Sequence, residues 1–191
     1  TLHLDLWRRP WFWAWIAAAA AFAATWSLGS GSGGGAAALA VAALTFGSFS
    51  VLAGLGQMMV ITMGPGNIDL SIPATITLAA TLSLKLMGAM QGALAFVIVS
   101  GLVAALAIGV GVGAANFALI RLLRIPPIIA TLAASFLYQS LAIWSNRGIR
   151  VKPPAALADF TTGRALLGVP NMAWLALVVA VVFWVILERS A

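Results

Sequence analysis

The sequence has no cysteine, a single histidine (His3) and only four acidic residues among 191. Without thiols there is no disulfide framework, no thiolate metal site and no cysteine nucleophile. One histidine and four scattered carboxylates assemble neither a metal cluster nor a general acid with its base, so catalysis is not expected. A Gly-x-x-x-x-Gly-Lys-Ser/Thr phosphate loop is also missing, which removes that device for holding ATP. Charge of either sign is scarce: ten Lys/Arg and four Asp/Glu make up 7% of the chain, where soluble domains carry about 25%. So small a charged shell does not solvate a chain that is 63% apolar, and a soluble fold is excluded.

What is there in abundance is uncharged, apolar sequence. Residues Pro10 to Ile68, Leu86 to Ile120, Ile125 to Asn146 and Ala165 to Leu187 carry no charge, and each run is long enough to cross a bilayer, which takes about 20 apolar residues. Punctuation divides them into six expected spans: Trp11 to Leu28, Ala36 to Met63, Leu70 to Met90, Ala93 to Ile120, Pro127 to Trp144 and Leu166 to Leu187. The expected fold is an all-α, polytopic transmembrane helical bundle in one domain. The second run, with Gly47, Gly54 and Gly56, is longer than a straight crossing needs, and is expected to tilt or to break into a short piece and a span. Glycines and serines from Gly29 to Gly35 form a polar connector, and Gly64 to Asn67 a tight non-helical break.

The net charge of +6 does not imply a nucleic-acid partner, because the ten basic residues are dispersed and form no dense patch. They report topology instead, since Lys and Arg in short flanking loops tend to stay in the cytoplasm. Arg8 and Arg9 put the N-terminus inside, and Arg121, Arg124 and Arg189 agree on a six-span count. The connector holding Arg147, Arg150, Lys152 and Arg164 then falls outside. Eight tryptophans, four of them at positions 7, 11, 13 and 15, suit an interfacial aromatic belt. The spans contain almost no carboxylates, which disfavours a proton- or sodium-driven carrier. A transporter of this composition would draw its energy from another subunit.

Two segments carry a resemblance. Gly64-Pro-Gly-Asn-Ile-Asp-Leu-Ser-Ile-Pro73, preceded by Leu55-Gly-Gln-Met-Met-Val-Ile-Thr-Met63, and Leu123-Arg-Ile-Pro-Pro-Ile-Ile-Ala-Thr-Leu132 resemble the permease subunits of binding-protein-dependent ABC importers for monosaccharides, the ribose type. The similarity runs from about Leu52 to Arg189 and outside the two blocks is mainly hydropathy. Departures are Pro73, where many relatives have Gly, the inserted Pro65-Gly66-Asn67, and the Gly-Ser connector. The resemblance implies a type II importer-like permease in a bacterial inner membrane, paired with a second copy. Its partners would be ATP-binding subunits that hold ATP and Mg, a periplasmic or extracellular substrate-binding protein, and a small sugar; the chain itself would hold no cofactor. Such permeases have about ten spans, so this chain is expected to be the N-terminal part of one. The acidic Asp69 in this block looks like the sugar branch; a branched-chain amino-acid or nucleoside permease, or a structural membrane protein without transport, remains as an alternative.

Asn67, Asp69, Ser71, Asn116, Thr131 and Gln139 are the candidate pathway or gating residues, and Pro126 and Pro127 the candidate hinge. Plainer roles are open to each. Asp69, Ser71 and Pro73 suit a helix start, with Ser71 accepting a bond from an unpaired N–H, and Pro126-Pro127 suits another. Polar groups in spans commonly bond between helices. Gly101, Ala105, Gly109 and Gly113 form a small-residue ridge for packing within the subunit or between copies. Arg147, Arg150, Lys152 and Arg164 are either simply solvated or dock the acidic rims of a binding protein.

Overall fold

A computed structural model describes residues 9–29, 35–147 and 152–190. Arg8 and Arg150, along with His3, lie outside the described residues. Among the described residues seven α-helices follow in order: α1 (Pro10–Gly29), α2 (Ala36–Thr62), α3 (Ile72–Ala89), α4 (Leu94–Leu122), α5 (Pro127–Ser145), α6 (Ala155–Thr162) and α7 (Asn171–Ser190). There is no strand among the described residues, and a single 3-10 turn, Leu166–Gly168, precedes α7. Helices are the outcome that apolar solvent enforces, because every backbone N–H and C=O must be satisfied within the segment.

Among the described residues five helices, α2 to α5 and α7, are long and apolar enough to cross a membrane, beside the six spans expected. The first segment forms a 20-residue apolar helix, α1, with Trp11, Trp13 and Trp15 at its start, where indoles suit a membrane interface. The second run is one unbroken helix of 27 residues, despite its three glycines. The last span starts at Asn171 rather than Leu166, because positive φ at Leu167 and Gly168 interrupts the helix there. The basic connector contains a helix of its own, α6.

The chain divides into two compact units, Thr1–Gly47 and Ser48–Ala191. Within the second, α3 packs against both α4 and α5, and α6 against α7. Contacts at both ends give the directions. Leu70, just before α3, donates its N–H to Thr131 near the start of α5, while Lys85 near the end of α3 donates its Nζ to the carbonyl of Ser145, the last residue of α5. These two helices therefore run parallel, and α4 runs antiparallel to both: its start lies by Met87 and its far half by Ser71. The Lys85 contact supplies a cation to carbonyls that α5 leaves unpaired at its C-terminus, where the helix dipole favours positive charge.

What is buried is small or polar: Ser71, Ala74, Ser83, Asn116, Ala130, Thr131, Ala134 and Ala142, with Leu78, Val112 and a few others. Large apolar side chains such as Leu106, Val110, Phe117 and Leu137 point outward. That inversion is how helices associate in lipid, where bulk apolar groups gain nothing by hiding and small residues let backbones approach. At Gly101 the approach is closest. A Cβ there would collide with Cε and Cγ of the buried Met87 and stand 2.9 Å from its Sδ. Farther along the ridge, Gly109 and Gly113 have nothing within 4 Å of such a Cβ, so only the first part of the ridge packs.

Candidate functional site

The break between α2 and α3 is an ordered turn built from its glycines and fastened by its neighbours. Gly64 (φ 156°) and Gly66 (φ 80°) supply conformations that a side chain disfavours at the second of these, and the Asn67 N–H closes the turn on the Gly64 carbonyl at 3.3 Å. Asp69 follows. Its Oδ1 accepts the Ser71 N–H at 2.7 Å and the Ser71 hydroxyl at 2.6 Å. The Ser71 hydroxyl, expected to cap α3, is turned back to this carboxylate instead and makes no cap bond to the helix. An anion suits that place, at the positive end of the α3 dipole.

From Ser71 a chain of hydrogen bonds crosses the bundle. Asn116 on α4 donates Nδ2 to Ser71 Oγ at 2.8 Å, and Tyr138 on α5 donates its hydroxyl to Asn116 Oδ1 at 3.0 Å. Every donor in the series Tyr138, Asn116, Ser71 faces toward Asp69, so each bond polarises the next and the negative charge closes the series. Ser71 is 0% and Asn116 4% exposed, so the middle of the series is sealed inside the bundle, while Asp69 and Tyr138 at its ends are half-buried. Thr131 fastens the same turn from α5: its Oγ1 accepts the Leu70 N–H at 3.0 Å and donates to its own helix at the Pro127 carbonyl, 2.9 Å away. Gln57 on α2 closes the ring of supports. With its carboxamide oriented to match donors with acceptors, it gives a bond of 3.0 Å to the Asp69 carbonyl and takes one of 3.2 Å from the Asp69 N–H.

Asp69 also lines a cavity of about 520 Å³ bounded by the second half of α2, the start of α3 and the far half of α4. Phe49, Leu52, Val60, Ile72 and Val112 supply most of its wall, Gly109 and Gly113 its α4 side, and Thr75 its other polar group. The two open glycines therefore make room for the cavity.

The candidate residues thus separate. Asp69, Ser71, Asn116 and Thr131 come together in one cluster; Asn67 contributes its backbone to the adjoining turn. Gln139 stands exposed on α5, outside it. Pro126 and Pro127 form the N-cap and first position of α5, preceded by Arg124 at φ 54°. Arg147, Lys152 and Arg164 are exposed on the connector around α6, at the opposite end of the α3–α5 pair from the cluster. Two members were missed by sequence reasoning. Tyr138, the one tyrosine of the chain, lies seven residues after Thr131, on the same face of α5, and Gln57 interrupts an apolar helix within a resembling block. No protein-family model, curated protein or solved structure matches the chain.

Proposed function

We propose that this chain is the membrane-spanning permease subunit, or the N-terminal part of one, of a binding-protein-dependent ABC importer, and that it forms part of the translocation path for a monosaccharide or similar small polyol. The observation that carries this reading is the turn from Gly64 to Ser71. The segment that bears the resemblance is non-helical, is fastened by side chains from α2, α4 and α5, and carries a carboxylate that lines a cavity. Irregular backbone between spanning helices persists where protein or a water-filled space receives its polar groups, and this turn has both.

In this reading ATP binding and hydrolysis occur on partner subunits, and the helices rock between outward and inward openings. Arg121 and Arg124 lie at the cluster's end of the bundle; by the tendency of basic loops to stay in the cytoplasm the reading takes that end as cytoplasmic and the connector with α6 as the outer face, open to a substrate-binding protein. The test is co-purification with a cognate ATPase pair, followed by sugar uptake into proteoliposomes loaded with ATP, with the binding protein and sugar supplied outside. A stable complex and uptake are expected; failure to form any complex with the ATPase overturns the assignment.

A further inference from the structure

The connector between α5 and α7 ends in a hairpin that presents leucine at its tip. Arg164 and Pro170 pair as an antiparallel bridge, the Ala165 N–H donates to the Val169 carbonyl at 3.2 Å, and the Asn171 N–H donates to the Gly163 carbonyl at 3.1 Å. The Asn171 carboxamide fastens this stem to α6 by donating Nδ2 to the Phe160 carbonyl at 3.0 Å. At Gly163 the stem has no room for a side chain, since a Cβ would stand 2.6 Å from the Asp159 carbonyl oxygen. The turn that closes the hairpin, Leu166–Gly168, places Leu167 at φ 59° and ψ 19°, a left-handed conformation that a Cβ disfavours and that glycine or asparagine accepts. Leu167 is 92% exposed, the most of any large apolar side chain among the described residues, and Leu166 is 69% exposed. Neither the turn nor packing within the chain accounts for a leucine there. A side chain held in a strained conformation by a fixed stem points to a use outside the fold.

The tip stands at the edge of a span. Helix α7 has 20 residues and so measures about 30 Å, the thickness of a hydrocarbon core. Pro170 caps it by accepting the Ala173 and Trp174 N–H groups. Leu167 precedes that cap by the length of one 3-10 turn, which at about 2 Å of rise per residue puts the tip about 6 Å from the boundary. A headgroup layer is about 5–8 Å deep, so the tip reaches no farther than this layer even where the hairpin points straight out.

The surroundings suit the same place. Trp144, 69% exposed in the last turn of α5, has the side chain of an interfacial belt. Arg147, Lys152 and Arg164 are exposed on the connector, against one carboxylate, Asp159, among its described residues. Leucines for the acyl boundary beside cations for phosphate make up the composition of segments that lie in a membrane interface. A pocket on a protein is the poorer fit, because leucine is under-represented among the residues that anchor protein interfaces.

We propose that the Leu166–Leu167 tip is a wedge into a phospholipid surface, seated in the headgroup layer around α7, and that it holds α6, which buries no side chain in the bundle, against the bilayer. The inference rests on α7 crossing the membrane and not on the importer reading.

Because the chain has no cysteine, Leu167→Cys takes a single nitrobenzoxadiazole label, and Leu106→Cys on the outward face of α4 is the control within the hydrocarbon. Both are reconstituted in phosphatidylcholine–phosphatidylglycerol vesicles carrying a nitroxide either on the headgroup or deep in the acyl chain, and iodide is the aqueous quencher. At position 167 the headgroup nitroxide should quench about twofold more than the deep one, as an apolar group seated at the headgroup boundary requires, with the order reversed at position 106. Iodide should quench the tip less than it quenches the free cysteine conjugate. A label-free measurement stands beside this one. The double variant Leu166→Asn, Leu167→Asn keeps a residue that accepts the left-handed turn and removes the wedge, so hydrogen exchange over α6 should rise about threefold or more in nanodiscs as that helix loses its attachment. Full access of iodide to the tip without quenching by either nitroxide overturns the proposal and leaves the tip to a protein partner. Unchanged exchange over α6 in the double variant overturns the anchoring role.

Discussion

Gly101 and Gly109 stand eight residues apart on one ridge of α4, and replacing each by alanine should act with opposite sign. Alanine is favoured over glycine in a helix interior by about 0.8–1.0 kcal/mol, and both variants gain this. At Gly109 nothing stands within 4 Å of the new methyl group, so the gain survives and the variant is as stable as the parent or slightly more so. At Gly101 the methyl group meets Met87 along its length, from Cγ to Cε. Met87 is 5% exposed, so its flexible end has little room to withdraw, and overpacking of this kind costs about 1–3 kcal/mol. The two variants should therefore differ by about 1–3 kcal/mol, which at about 2–4 °C per kcal/mol for a chain of this size is a separation of several degrees in unfolding midpoint, measured in detergent by tryptophan fluorescence. A second substitution fixes the cause. Met87→Ala removes the colliding atoms, so adding Gly101→Ala to it should cost nothing further. Equal midpoints for the two glycine variants, or a Gly101→Ala penalty that persists beside Met87→Ala, would refute the assignment of this part of the ridge to α3–α4 packing.

Asn116→Ala and Tyr138→Phe each break the bond between those two residues, so a double-mutant cycle on unfolding in mixed micelles should return a coupling of about 0.6 kcal/mol, the average for interhelical hydrogen bonds in membranes, and no more than about 1.7 kcal/mol; zero coupling would remove the bond. Thr131→Val keeps the shape but orphans the Leu70 N–H, and should lower stability by about 1–3 kcal/mol and speed hydrogen exchange at Leu70 when followed by mass spectrometry, while Gln139→Leu on the exposed face of the same helix leaves both unchanged. Replacing Arg147, Arg150, Lys152 and Arg164 together by serine should lower ATPase activity stimulated by the binding protein and spare the basal rate, since complementary charge acts on encounter and register; an unaltered stimulated rate rejects docking on this loop.

The helices were legible because lipid simplifies the problem: a long uncharged run has no alternative to satisfying its own backbone, and four of the expected spans, from Ala36 to Trp144, reappear within two residues at each end. The misreadings fall where that constraint weakens. At the last span, the turn Leu166–Gly168 is apolar in composition but left-handed at two residues, and apolar periodicity carries no record of φ. Helix α6 has only eight residues and no buried side chain, so it leaves no apolar stripe to read.

The site was legible as a list of polar residues and illegible as an arrangement. Asp69, Ser71, Asn116 and Thr131 stand out in sequence because polar groups in apolar spans require partners, but Gln139 satisfies the same criterion and stands outside the cluster. What separates them is helix direction. With α3 and α5 parallel and α4 reversed, the start of α3, the far half of α4 and the stretch of α5 from Thr131 to Tyr138 come together, and Gln139 points away while Tyr138, one residue earlier, points in. A change of one residue on α5 turns a side chain by about 100°, which composition does not register. The same geometry explains why Asp69 needs no cation. Two bonds from Ser71, continued through Asn116 to Tyr138, hold Oδ1 in place as the helix dipole of α3 offsets its charge. A lysine or arginine in that role would occupy the cavity; donors buried behind the carboxylate stabilise it from the protein side and leave the space in front of it to a solute.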